Sequence, residues 1–289
     1  MDGFVDTSSV RDLSTNFIAY DGTTSAGAGT DSAQPAYYYS GAGSCTTASS
    51  SAFPHSAGGF TKVRVSATSG PGATDERVNF ANWYSYYRTR MLMMRSATGR
   101  AFATLSDAYR VGFITINPGS PVSSAKYLTI NDFTATQKTN WYSKLYGQTP
   151  GSSTPLREAL SRAGRHFAGK QDGINNGMTG DPIQYSCQRN YTLLTTDGYW
   201  NGNAGVKLDG TAIGNHDGVL NATTTPRPMY DANNSSGSLA DVAQYYYITD
   251  LRPNGSIGAL GTDVGTGTVP PGSVSADYVA AEGDTAGNT

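Results

Sequence analysis

The pattern of apolar residues changes abruptly at Asn79, and that change sets the fold class. Phe80, Tyr84, Tyr87, Met91, Met94, Ala101 and Leu105 recur at helical spacing with no proline between them, which predicts one long helix over 79–105. The β-branched run 109–116 follows and is ended by Asn117-Pro118-Gly119, which predicts a buried strand. Residues 135–145 predict a shorter helix carrying Trp141 and Leu145. The next start is the clearest in the chain, with Thr154 at the N-cap position and Pro155 at the first helical position. That helix is expected to run through Leu160 and Phe167 and stop near Gly169. The run 191–196 predicts another strand leading into Asp197-Gly198, an Asn/Gly loop follows over 201–218, and residues 239–247 predict a last helix. Helix and strand thus alternate from Asn79 onward, as in an open α/β sheet. Ligands of such sheets sit outside the carboxyl ends of the strands. Asp197, just past a strand, and Thr154, at a helix N-terminus, both qualify.

Before Asn79 the chain reads differently. Residues 32–61 contain no Asp, Glu, Lys or Arg and are rich in Ser, Ala, Gly and Tyr, so long loops or short strands are expected there. Residues 17–20 and 62–65 fit edge strands, and Ser69-Gly70-Pro71-Gly72 marks a turn. After Arg252 no basic residue remains, and residues 254–289 read as a flexible polar tail.

Charge is sparse, at 15% of residues with a formal net charge of -2, which argues against nucleic-acid binding through a basic surface. No apolar run is long enough for a transmembrane helix, so no membrane span is expected. The first six residues lack the basic start and apolar stretch of a signal peptide. The abundance of Gly, Ser, Thr, Asn and Tyr beside scarce Lys and Glu points to an extracellular setting. The two cysteines, Cys45 and Cys187, fit either one disulfide or two inert thiols.

Several motifs fail on context. Gly164 to Lys170 has the spacing of a phosphate-binding loop, but Gln171 stands where Ser or Thr is needed, and a helix rather than a strand precedes it. No nucleophile elbow follows a predicted strand. His55, His166 and His216 lack serine and acid partners and read as ordinary loop or surface residues. The Asn and Asp residues between Asn201 and Asp217 do not follow EF-hand spacing, so turn chemistry explains them. With no general base or nucleophile in view, the chain is read as a non-enzyme.

Thr154 and Asp197 carry the chemistry that remains. A hard divalent cation such as Mg2+ prefers oxygen ligands, and a hydroxyl and a carboxylate on one rim of an α/β sheet supply them. Gly-Ser-Ser-Thr-Pro-Leu before a helix and Leu-Leu-Thr-Thr-Asp-Gly after a strand resemble the second and third loops of the metal-ion-dependent adhesion site of von Willebrand factor A domains. Longer stretches extend the likeness. Residues 79–91 (Asn-Phe-Ala-Asn-Trp-Tyr-Ser-Tyr-Tyr-Arg-Thr-Arg-Met), 154–160 (Thr-Pro-Leu-Arg-Glu-Ala-Leu), 185–201 and 239–253 resemble, in order, the type IV pilus tip-associated adhesin and biogenesis proteins of the PilC/PilY family.

The resemblance implies an N-terminal von Willebrand A-like module, a doubly wound, Rossmann-like open sheet, from a large exported protein. Members associate with the outer membrane and pilus tip, help assemble pili, mediate attachment and carry a C-terminal β-propeller. It implies an extracellular site of action, with pilus subunits or minor pilins and host or abiotic surface ligands as partners. Thr154 and Asp197 would be two magnesium ligands, and a Cys45–Cys187 bridge would tie the early insertion to the strand that presents Asp197. The expected layout is a loop- and β-rich insertion over 1–75, an incomplete A-like core over 76–253 and the tail over 254–289.

Three departures accompany it. The propeller is absent. The family's first strand, ending in Asp-x-Ser-x-Ser, is not visible, since Asp21-Gly22-Thr23-Thr24-Ser25 falls inside the insertion and Asp6-Thr7-Ser8-Ser9 ends in Val10. The late strands do not follow the last helix. The chain is therefore expected to be an internal fragment, marginal or aggregation-prone when made alone. The competing reading is a secreted glycan-binding or carbohydrate-active module, suggested by the Tyr and Trp content and polar loops, although no carboxylate pair stands out.

Overall fold

A computed structural model describes residues 12–17, 35–41, 61–151, 153–184, 188–196, 198–216, 235–249 and 251, together with the backbone of two short strands near the C-terminus. The chain divides into two compact units, Met1–Ala103 and Thr104–Thr289.

In the first unit, β1 (Tyr37–Ser40) pairs antiparallel with β2 (Thr61–Arg64), with Tyr37 opposite Arg64 and Tyr39 opposite Lys62. Tyrosines and β-branched residues favour this pleated surface. Phe17 is buried edge-on against Tyr37, Phe80 and Tyr84, with ring centroids 5.4–5.6 Å away. The expected single helix over 79–105 is two helices, α1 (Arg77–Tyr86) and α2 (Arg90–Ala103). The break has a local cause. The Arg88 guanidinium stacks on Tyr84 at 4.2 Å and donates to the Tyr84 carbonyl at 2.5 Å. Thr89 then starts α2, its hydroxyl accepting from Leu92 N–H and its carbonyl from Met93 N–H.

In the second unit, β3 (Arg110–Ile114) pairs antiparallel with β4 (Tyr127–Asp132). The first matches the expected strand; the second carries no clean alternation and was not anticipated. The register shifts between Val111 and Phe113. A Cβ on Gly112 would stand 2.6 Å from Ile130 Cγ1 and 2.8 Å from the Leu128 carbonyl, so only glycine fits this bulge. The Gln137 amide fills the disturbed ladder, donating to the Val111 and Thr129 carbonyls at 2.8 Å each. Gln137 lies on α3 (Ala135–Gly147), capped by Thr134, and α3 seats Trp141 edge-on against Phe113 and Phe133.

Two further helices, α4 (Leu156–Phe167) and α5 (Leu239–Ile248), pack together. Gly164 allows their contact, since a Cβ there would stand 2.1 Å from the Tyr246 ring. Ser238 and Asp241 form a reciprocal capping box at the start of α5. Short strands β5 (Thr262–Asp263) and β6 (Gly267–Thr268) pair near the C-terminus.

The architecture is mixed α/β, and every strand pairing among the described residues is antiparallel and two-stranded. The run 191–196 forms no ladder, with Tyr191 81% and Leu193 73% exposed, contrary to the strand expected there. β-propensity needs a neighbouring strand to be realised, and the described residues give this run none.

Replacing Gln137 with leucine keeps side-chain size and leaves two half-buried carbonyls without this donor. The expected loss is about 1–3 kcal/mol in urea denaturation with the fold retained. An unchanged midpoint would show that the bulge does not need this amide.

Candidate functional site

Thr154 does not cap α4; Pro155 occupies the N-cap position and no side chain bonds the first amides. Pro155 has φ -79 and ψ 67, and Leu156 N–H bonds the Thr154 carbonyl at 2.9 Å. This is an inverse γ-turn, and it rotates Thr154 off the helix axis. The Thr154 hydroxyl is consequently uncommitted among the described residues, whereas a capping role would have consumed it.

The backbone of Thr154 is held from the other side. Its N–H donates to Asn201 Oδ1 at 3.0 Å, and its carbonyl accepts from Asn201 N–H at 3.1 Å. Asn117, past the end of β3, donates from Nδ2 to Ser153 Oγ at 2.7 Å. Arg157 donates to the carbonyls of Gly237 at 2.8 Å and Gly202 at 3.3 Å while stacking on Trp200 at 4.3 Å. The end of β3, the start of α4, the 199–203 loop and the approach to α5 thus meet on one rim. Glu158, the acid of the first turn of α4, is engaged by Arg162 and by Asn203. Its oxygens are already occupied, so it is a poor metal ligand.

Asp197 lies outside the described residues, as do Cys45, Cys187 and His55. No cluster of three or more His, Cys, Asp or Glu side chains suited to a metal occurs among the described residues. The oxygen donors placed at this rim, hydroxyls, side-chain amides and main-chain carbonyls, are of the kind a hard cation takes. An open groove lined by Asn131, Asp132, Thr134, Thr136, Gln137 and Gln184 lies at the opposite end of the β3–β4 hairpin and takes no part in this rim.

The 201–216 loop, expected to be irregular, is welded in place. Val206 bridges Ala212, Ser161 Oγ accepts from Val206 N–H, and the Tyr246 hydroxyl donates to the Val206 carbonyl at 2.7 Å. Two histidines expected at the surface are buried. His166 sits within α4 against Tyr127, and His216 lies beneath α5. The apolar stripe Leu156, Leu160 and Phe167 does not include His166, and nothing local marks His216. Asp241 accepts from His216 N–H at 2.7 Å, and the ring Nε2 lies 3.1 Å from the Ile213 carbonyl.

Burial lowers the His216 pKa, and the Lys207 charge acts the same way, against smaller opposing effects of the Ile213 carbonyl and Asp241. The folded state therefore holds a neutral imidazole. Stability is complete above the ordinary value of about 6.5 and falls as pH drops through and below it, because the unfolded chain takes up the proton first. The melting temperature should drop between about pH 7.5 and 5.5, and His216→Gln should shrink that drop. An equal drop in the variant would assign it elsewhere.

Curated relatives share this stretch of sequence. The chain is 34% identical over 260 residues to the type IV pilus biogenesis factor PilY1 of Pseudomonas aeruginosa strain PAK, covering 82% of this chain and 20% of the relative. The PilY1 proteins of strains PAO1 and UCBPP-PA14 are 33% and 34% identical over 77% and 63% of the chain, which spans 19% and 16% of them. This chain belongs to the PilY1 family. It spans about a fifth of the length of these PilY1 relatives. No family model and no solved structure matches it. Among the described residues no helix is long and apolar enough to cross a membrane.

Proposed function

We propose that this chain is a von Willebrand A-like module of a surface-exposed type IV pilus assembly factor and tip adhesin, acting by binding rather than catalysis. In this reading Thr154 and Asp197 hold a magnesium ion whose open position accepts an oxygen from a pilus subunit, a minor pilin or a surface ligand. The observation that carries it is the uncommitted Thr154 hydroxyl, on a residue doubly bonded to Asn201, four positions after Asp197. Such an ion would supply Lewis-acid attraction for a partner's oxygen. The residues themselves fix the rim: the γ-turn at Pro155 orients the hydroxyl, and Arg157 and Asn201 hold the loop that leads from Asp197.

The sheet plan has its own support. Gln188 Nε2 and Arg110 Nη1 both donate to the Pro182 carbonyl, at 2.8 and 2.6 Å, beside the start of β3. At its other end the same segment reaches Thr154, next to Ser153 and Asn117 beyond the end of β3. From 188–196 to 198–201 the described chain therefore advances in the same sense as β3 without pairing to it. A parallel strand between the two would complete an open doubly wound sheet and cover the exposed 191–196 run.

Calorimetric titration of manganese into the chain, alone and within a longer protein bearing an Asp-x-Ser-x-Ser strand, tests the metal reading. Asp197→Ala should abolish the saturable heat, and Thr154→Ala should weaken binding roughly tenfold, about 1.4 kcal/mol. Undiminished heat without Asp197, or none in either form, would sink the magnesium site and leave the family membership intact.

A further inference from the structure

The helix α2 is built inside out. Its buried positions are Leu92, Arg95 and Gly99. At 100° per residue these lie on one side, and the opposite arc carries Arg90, Met93, Met94, Ala97, Arg100 and Ala101. All six are exposed, with Met93 at 47% and Met94 at 39%. An ordinary surface helix buries its methionines and exposes its arginines. Here Arg95 lies inward while Met93 and Met94 face out, with Met91 half-buried.

The charge on this pair of helices is equally one-sided. From Arg77 to Ala103 there are five arginines and no acidic residue, of which Arg77 is paired with Asp75 just before the helix. Exposed Arg100 sits in the last turn of α2, and exposed Arg88, just before the helix, stacks on Tyr84 and bonds its carbonyl. The outer face is thus a narrow Met/Ala seam in a positive setting. Ala97 and Ala101, four apart, leave a shallow groove between side-chain ridges, the shape that receives a second helix. An interfacial membrane helix needs a broader face of large apolar residues than two methionines and two alanines provide. Two copies of this seam would bring arginine toward arginine.

We propose that the outer face of α2 docks an acidic amphipathic helix of a partner protein. The partner's apolar side chains cover Met93, Met94 and Ala97, and its carboxylates meet Arg100 on the same face. This inference is independent of the metal rim, which lies in the other unit of the chain.

The test uses the full chain and two labelled 21-residue helical peptides with leucine at the seam positions, one flanked by glutamate and the other by lysine. Fluorescence anisotropy should show saturable binding of the glutamate peptide, at least tenfold tighter than the lysine peptide and weakened by salt. The double change Met93→Gln and Met94→Gln should reduce affinity at least tenfold while far-UV circular dichroism and the melt stay unchanged, since both side chains are exposed. Arg100→Glu should narrow or reverse the preference between the peptides. Equal binding of both peptides, or indifference to all three substitutions, would overturn the proposal. So would binding to phosphatidylglycerol vesicles without peptide binding, or self-association lost in the methionine variant.

Discussion

Two guanidinium groups buried beneath α4 organise the rest of the second unit. Arg162 and Arg165 are each about 2% exposed, where hydrophobic residues usually sit. A charge taken from water must find partners or destabilise the fold. Arg162 finds Glu158 and the Ile174 carbonyl, and Arg165 finds Asp172 and the carbonyls of Lys207 and Leu208. Apart from Glu158, on α4 itself, those acceptors belong to the 172–174 and 207–208 segments. One helix thereby fixes two loops that have no ladder of their own. Loss of either arginine would leave main-chain carbonyls and a partner acid without their donors, so their effect reaches well beyond one ion pair.

The rim at the start of α4 follows from that anchoring. The 201–216 loop is held at Lys207 and Leu208 by Arg165, at Val206 by Ser161 and Tyr246, at His216 by Asp241, and through its own Asn203 and Asn201 to Glu158 and Thr154. The inverse γ-turn at Pro155 then decides what Thr154 offers. A proline at that position was read as helix initiation, and it does adjoin the helix start. Its ψ of 67 instead turns the preceding hydroxyl away from the amides it was expected to cap. The proposed metal chemistry rests on that rotation.

Elements with a strong local pattern were legible. β3 and α3 to α5 appear where their periodicity puts them, although Thr154 does not cap α4, and the phosphate-loop mimic does fall within and just after a helix. What escaped depended on contacts distant in sequence or on side chains acting on the backbone. β4 is defined by its pairing with β3 and by Gln137, not by alternation. The division of α1 from α2 arises from Arg88 and Thr89, which interrupt no hydrophobic stripe. The burial of His216 depends on Asp241, twenty-five residues later. The run 191–196 has the composition of a strand, and composition alone does not supply a neighbour. Of the candidate site, Thr154 and its setting were legible as a position at a helix start, while the part played by Asn201 and Arg157 emerged only from the fold.

Whether Thr154 and Asp197 share one divalent cation is decided by locating the ion. Anomalous diffraction at the manganese edge, from crystals of the chain in its longer natural context soaked in manganese, would do so. The account predicts one peak at roughly 2.0–2.2 Å from both the Thr154 hydroxyl and an Asp197 carboxylate oxygen, taking the ligand distances of magnesium as the guide. A manganese peak bound elsewhere, with Thr154 and Asp197 facing water, would contradict it.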